Sequence, residues 1–200
     1  MNREELINWP NFLTVLRICL TPLFVGLLFA EAWYWKSLAF VVFGLAALTD
    51  FYDGRLARSG NKVTAFGRFL DPLADKILVT AALIAFAWER MVHFWLVVPI
   101  IVRDIVITGL RLYSIYHGRQ LATSKLAKWK TAVQLFTVAV ILFIIGLQEL
   151  LGRFNWDGII PLDGVRIQMV SNSLMAAVLL LTVLSGIHYL FRSNYFYNKS

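Results

Sequence analysis

The sequence has little of what would hold a secreted or water-soluble domain together. Cys19 is the only cysteine, so no intrachain disulfide can form and cysteine usage points to no redox compartment. Charged residues make up 16% of the 200 positions, against about 25% in an ordinary soluble domain. The three histidines, His93, His117 and His188, have no partners at metal-ligand spacing, and they read as interfacial or loop residues rather than as a zinc site. The net charge is +7, yet no Lys/Arg run with interleaved aromatics lies outside the apolar blocks, so nucleic-acid binding is not expected. There is also no internal repeat, low-complexity tract or linker. The chain reads as one domain over residues 1–200.

What is abundant is apolar sequence: 59% of the residues are hydrophobic and the mean hydropathy is +0.68. The apolar residues fall in blocks close to the roughly 20 residues that cross a bilayer as a helix. A chain of this length cannot bury so many blocks inside a soluble core. The expected fold is an all-α, polytopic membrane protein with about six transmembrane helices. Asn2 to Trp9 predicts a short interfacial amphipathic helix, opened by Asn2 with Glu5 three residues on and ended by Pro10. The blocks are Phe12–Ala30, Trp33–Leu48, Asp71–Trp88, Phe94–Tyr116, Trp129–Leu150 and Val170–Phe191, with a polar segment from Asp50 to Phe69. Ala30-Glu31-Ala32 loosely resembles a signal-peptide cleavage site, but the stretch before it is too long for one and carries Asn11, Thr14 and Arg17. It is therefore expected to be retained.

The loop charges predict an orientation. Arg55, Arg58, Lys62 and Arg68 join blocks two and three, and Arg119, Lys125, Lys128 and Lys130 join blocks four and five. Arg3, Arg192 and Lys199 lie on the same side, which is expected to be cytoplasmic, with both termini. Trp33, Trp35, Trp88, Trp95 and Trp129 stand where an aromatic belt belongs. The loop from Gly152 to Gln168, with Gly158, Pro161 and Gly164, reads as turns without chemistry.

Ionisable groups at the edge of a membrane block are costly and need a reason. Asp50 and Asp53 lie three residues apart, and Asp71 and Asp75 four apart, so each pair shares a helix face. Both pairs fall at the cytoplasmic ends of consecutive antiparallel blocks, where they can face each other. Four such carboxylates repel unless a cation bridges them, and oxygen-only ligands favour a hard ion such as Mg²⁺ or Mn²⁺. Such ions commonly serve phosphate chemistry. Gly54 and Gly67 would let a phosphate approach the backbone, Ala57 is small on the same face, and Arg58 is a forked donor. Acids that merely cap helices would not come as four with paired glycines.

The run from Asp50 to Asp75 reads D-x2-D-G-x2-A-R-x8-G-x3-D-x3-D, which resembles the signature of the CDP-alcohol phosphotransferases at all eight fixed positions. The resemblance implies that Asp50, Asp53 and Asp71 ligate a pair of divalent cations with Asp75 near them. It also implies that Gly54, Ala57, Arg58 and Gly67 line a CDP site. Asp75 is then the general base, taking the proton of an acceptor hydroxyl that attacks the β-phosphorus of a CDP-lipid, with CMP leaving. It further implies a homodimer in the bacterial inner (cytoplasmic) membrane with its active site facing the cytoplasm.

The acceptor is read from other residues. Asn11, Thr14 and Arg17 share one side of the first block. Arg17 there either faces the interior as a phosphate ligand or snorkels to the interface. Arg111 in block four and Lys128 before block five are further candidates for an acceptor phosphate, although lysines at a cytoplasmic edge are commonly topology signals. Arg103 is deeper and could pair with a carboxylate as structural glue. Together with Leu70 to Lys76 and the Lys128-x-Lys130-Thr131-x-x-Gln134 run, these look similar to the phosphatidylglycerophosphate synthases of the family. That implies CDP-diacylglycerol and glycerol 3-phosphate as substrates. Asp104 stands where those synthases often have Glu, and Ala127 where they often have Gly. A sister enzyme using serine, inositol phosphate or phosphatidylglycerol stays open as an alternative. A divalent-cation or proton transporter is more distant, because transport sites usually sit mid-membrane between repeats.

Overall fold

The computed structural model describes residues 9–59, 65–116, 125–154 and 163–197, with side chains at 15–49, 76–110, 112–114, 116, 126–154 and 163–189. Among the described residues there are six helices and no strand: α1 (Trp9–Leu28), α2 (Trp33–Ser59), α3 (Ala65–Trp88), α4 (Phe94–Tyr116), α5 (Lys125–Arg153) and α6 (Gly164–Tyr197). The all-α expectation holds, and α4 has the bounds read from its apolar block. The helix expected over Asn2–Trp9 lies outside the described residues except for Trp9, which opens α1. Pro10 lies within α1 as described.

The largest difference concerns the polar segment. Helix α2 continues beyond Leu48 to Ser59, and α3 begins at Ala65, ahead of Asp71. Loss of apolarity marks where a helix leaves an apolar environment, but it does not stop the helix. Gly54 is the only glycine in the extension of α2 from Thr49 to Ser59, and one glycine does not stop a helix.

The chain divides into two compact units, Met1–Ala85 with Val138–Asp163, and Phe86–Thr137 with Gly164–Ser200. In the first, α1 packs along α2. The buried face of α1 is Arg17, Thr21, Phe24 and Leu28, at the i, i+4, i+7, i+11 spacing of a helix stripe. Phe24 meets Phe43 of α2 with ring centroids 5.7 Å apart. The far part of α5 contributes Ile141, Leu142 and Ile145 to the same core. Lys36 pairs with Glu149, and Phe40 lies 5.9 Å from Phe143. The outer side of α2 is apolar as well: Leu38, Val41, Leu45 and Leu48 are all exposed.

In the second unit α4 packs on α6, burying Val97, Ile100, Met175 and Val178. Helix α3 ends there in a Schellman turn, with Met91 N–H donating to Phe86 O at 2.9 Å and Arg90 N–H to Ala87 O at 3.2 Å. Arg90 takes the left-handed position with φ 57°, which glycine usually fills. Helix α6 pins the turn. Gln168 Nε2 donates to Arg90 O at 2.7 Å, and Asn172 Oδ1 accepts from His93 N–H at 2.8 Å.

By length and composition, Leu126–Arg153 and Gly164–Tyr189 are apolar enough to cross a membrane, and Val15–Leu28, Trp33–Thr49 and Lys76–Trp88 are shorter apolar helices.

Candidate active site

Because α2 is continuous to Ser59, Asp50, Asp53, Gly54, Ala57 and Arg58 fall on one face of it, within an arc of about 140° at 3.6 residues per turn. Gly67, Asp71 and Asp75 lie on α3 at four-residue steps, within an arc of about 80°. The backbone thus gathers all eight motif positions onto one face of each of two consecutive helices in the first unit. Their side chains are outside those described, as are the side chains of Asn11, Thr14 and Arg111. Among the described residues no three His, Cys, Asp or Glu side chains come together to hold a metal. A metal expectation therefore rests on the α2 and α3 positions, whose donors are carboxylate oxygens suited to a hard divalent ion.

The described cations fall into distinct environments. Arg17 is only 2% exposed and shares the buried stripe of α1 with Phe24, while the Thr21 hydroxyl donates to its carbonyl at 2.9 Å. Of the two positions left open for Arg17, the interior is the one observed. Lys128 is exposed.

Lys130 is 1% exposed and anchors a polar cluster in the second unit whose residues the sequence reading named but did not pair. Its Nζ donates to Asp104 Oδ1 at 2.5 Å and Oδ2 at 2.6 Å, and to Gln134 Oε1 at 2.7 Å. Arg103 Nη1 reaches Asp104 Oδ1 at 3.2 Å, and Nη2 donates to Ser185 Oγ of α6 at 2.8 Å. Gly186 lies beside it, where an added Cβ would meet Arg103 Nε at 3.6 Å. The suggestion that Arg103 acts as glue to a carboxylate fits this geometry. Three helices are thereby joined through ions withdrawn from solvent, which is favourable only because the charges are paired and hydrogen-bonded. The signal available in sequence was the pair of lysines two residues apart, since such residues point to opposite sides of a helix.

The sequence matches the family described as CDP-alcohol phosphatidyltransferase over residues 7–184. The chain belongs to that family. Among relatives of this CDP-alcohol phosphatidyltransferase, a Cereibacter sphaeroides protein named CDP-diacylglycerol–glycerol-3-phosphate 3-phosphatidyltransferase is 39% identical over 154 residues, covering 73% of this chain and 69% of the relative. A Bacillus subtilis protein of the same name is 39% identical over 150 residues, 68% of this chain and 77% of its own. A Rickettsia typhi protein, again of that name, is 32% identical over 182 residues, 91% of this chain and 94% of the relative. The matched region of this CDP-alcohol phosphatidyltransferase includes the α2 and α3 motif, Arg17 and the Asp104–Lys130–Gln134 cluster.

Proposed function

We propose that this chain transfers the phosphatidyl group of CDP-diacylglycerol to glycerol 3-phosphate, giving phosphatidylglycerophosphate and CMP. The observation that carries the reading is family membership together with relatives named CDP-diacylglycerol–glycerol-3-phosphate 3-phosphatidyltransferase, matched along most of the chain.

In this mechanism Asp75 accepts the proton of the acceptor hydroxyl as the oxygen attacks the β-phosphorus of the CDP-lipid. The new P–O bond forms while the bond to the CMP oxygen breaks, and CMP leaves. Gly54, Ala57, Arg58 and Gly67 receive the CDP moiety, the glycines by allowing close backbone approach and Arg58 by forked donation to phosphate. Asp50, Asp53 and Asp71, with Asp75 beside them, would hold two Mg²⁺ or Mn²⁺ ions, which when bound neutralise the phosphates and the departing CMP oxygen. Asn11, Thr14, Arg17, Arg111 and Lys128 serve the acceptor. Its dianionic phosphate suits several cations, and the burial of Arg17 supports an inward role.

The same reading takes the chain as one domain of about six membrane spans with an N-terminal interfacial helix. It sits in the bacterial cytoplasmic membrane as a homodimer, with both termini and the active site on the cytoplasmic side. Exposed apolar residues along α2 and the two long apolar helices support membrane embedding.

CMP release by purified protein, given CDP-diacylglycerol and each of glycerol 3-phosphate, serine, inositol phosphate and phosphatidylglycerol in turn, tests the acceptor. Release with glycerol 3-phosphate alone is expected. Release with another alcohol in its place would overturn the assignment.

A further inference from the structure

Gln134 is 2% exposed, and only one orientation of its amide is open to it. Lys130 Nζ carries hydrogens and no lone pair, so the Gln134 atom 2.7 Å away must be the carbonyl oxygen. The NH₂ group is left with no acceptor among the described residues. Lys130 itself is held by both oxygens of Asp104, so Asp104 fixes Lys130 and Lys130 fixes the amide. A buried amide with unused N–H groups is unfavourable until an oxygen reaches it. Lys130 and Arg103 stand around one carboxylate, Asp104. This setting favours an electron-rich hydroxyl or phosphate oxygen as occupant over any donor.

We propose that Gln134 is a specificity-determining residue whose amide NH₂ donates to an oxygen of the acceptor alcohol, held in that orientation by the Asp104–Lys130 pair. The inference rests on the reading of this chain as a phosphatidyl transferase to a phosphorylated alcohol and adds a residue to its acceptor site. A trapped water is the competing source of the oxygen.

Gln134→Glu separates the two. It keeps an oxygen for Lys130 and removes both N–H donors. With the acceptor as partner, KM for glycerol 3-phosphate rises about tenfold, while KM for CDP-diacylglycerol stays within about twofold. An unchanged KM for glycerol 3-phosphate in folded Gln134→Glu protein would assign the oxygen to water and overturn the proposal. So would an equal rise in both constants, which marks general loss of structure. If the Glu variant does not fold, the side-chain amide resonance of Gln134 in the wild type decides. The proposal requires it to shift on adding glycerol 3-phosphate but not on adding CMP, and the absence of a shift overturns it. Wild-type protein that used a different alcohol would contradict the functional reading, yet a raised KM for that alcohol in the Glu variant would still uphold the role of Gln134.

Discussion

Lys128 and Lys130 show how two residues of one type, two positions apart, come to differ. Successive helix residues turn by about 100°, so the pair points about 200° apart, and one is exposed while the other is buried against Asp104. Replacing Lys130 by Met takes from Asp104 the ammonium that meets both of its oxygens. Breaking a buried pair from one side costs about 3–5 kcal/mol. The double change Lys130→Met with Asp104→Leu should recover part of this, because it removes both members of the Lys130–Asp104 pair and leaves Arg103 with its bond to Ser185. Denaturation midpoints in detergent for the wild type and the three variants would check it, and additive losses would contradict the coupling. A residue-by-residue reading of the sequence could name the ionisable groups but not their partners. Arg103 was expected to meet a carboxylate, though which one was not named, whereas Lys130–Asp104 spans 26 residues and nothing local marks that pairing. The family was legible for the opposite reason, because the eight motif positions are contiguous enough to form a pattern. Asp75→Asn should lower turnover by at least about a hundredfold, the typical contribution of a general base, while CDP-lipid binding largely survives. Near-normal turnover would remove Asp75 from that role.

Helices were more legible than their ends. Apolar blocks located the six helices found among the described residues, because a segment that is apolar all round must be buried in protein or lipid. The ends followed different physics. Helix α2 runs on through a polar stretch to Ser59, and α3 closes with Arg90, not glycine, in the left-handed position. Neither is visible to a hydropathy reading. Contacts between helices were not visible either. A Cβ on Gly146 of α5 would meet Ser37 of α2 at 3.2 Å from Oγ and 3.4 Å from Cα, so the two helices approach closely at this glycine. Gly146→Leu should force them apart within the first unit and cost about 1–3 kcal/mol, as overpacking usually does. A thermal midpoint equal to that of the wild type would show that the contact is not tight.

For the molecule as a whole, composition pointed to surroundings and the motif pointed to chemistry. The 16% charge content and the apolar outer face of α2 concern what surrounds the helices. The eight positions on one face each of α2 and α3 concern what the protein does. Both meet in one demand of the proposed mechanism: four aspartates brought together beside apolar surroundings would need cations to offset their repulsion. CMP formation by purified protein, followed with glycerol 3-phosphate and CDP-diacylglycerol before and after chelation of divalent ions, tests this most directly. CMP and phosphatidylglycerophosphate should appear in equal amounts, stop on chelation and return with Mg²⁺ or Mn²⁺. Transfer that continues at the same rate without a divalent ion would contradict the account.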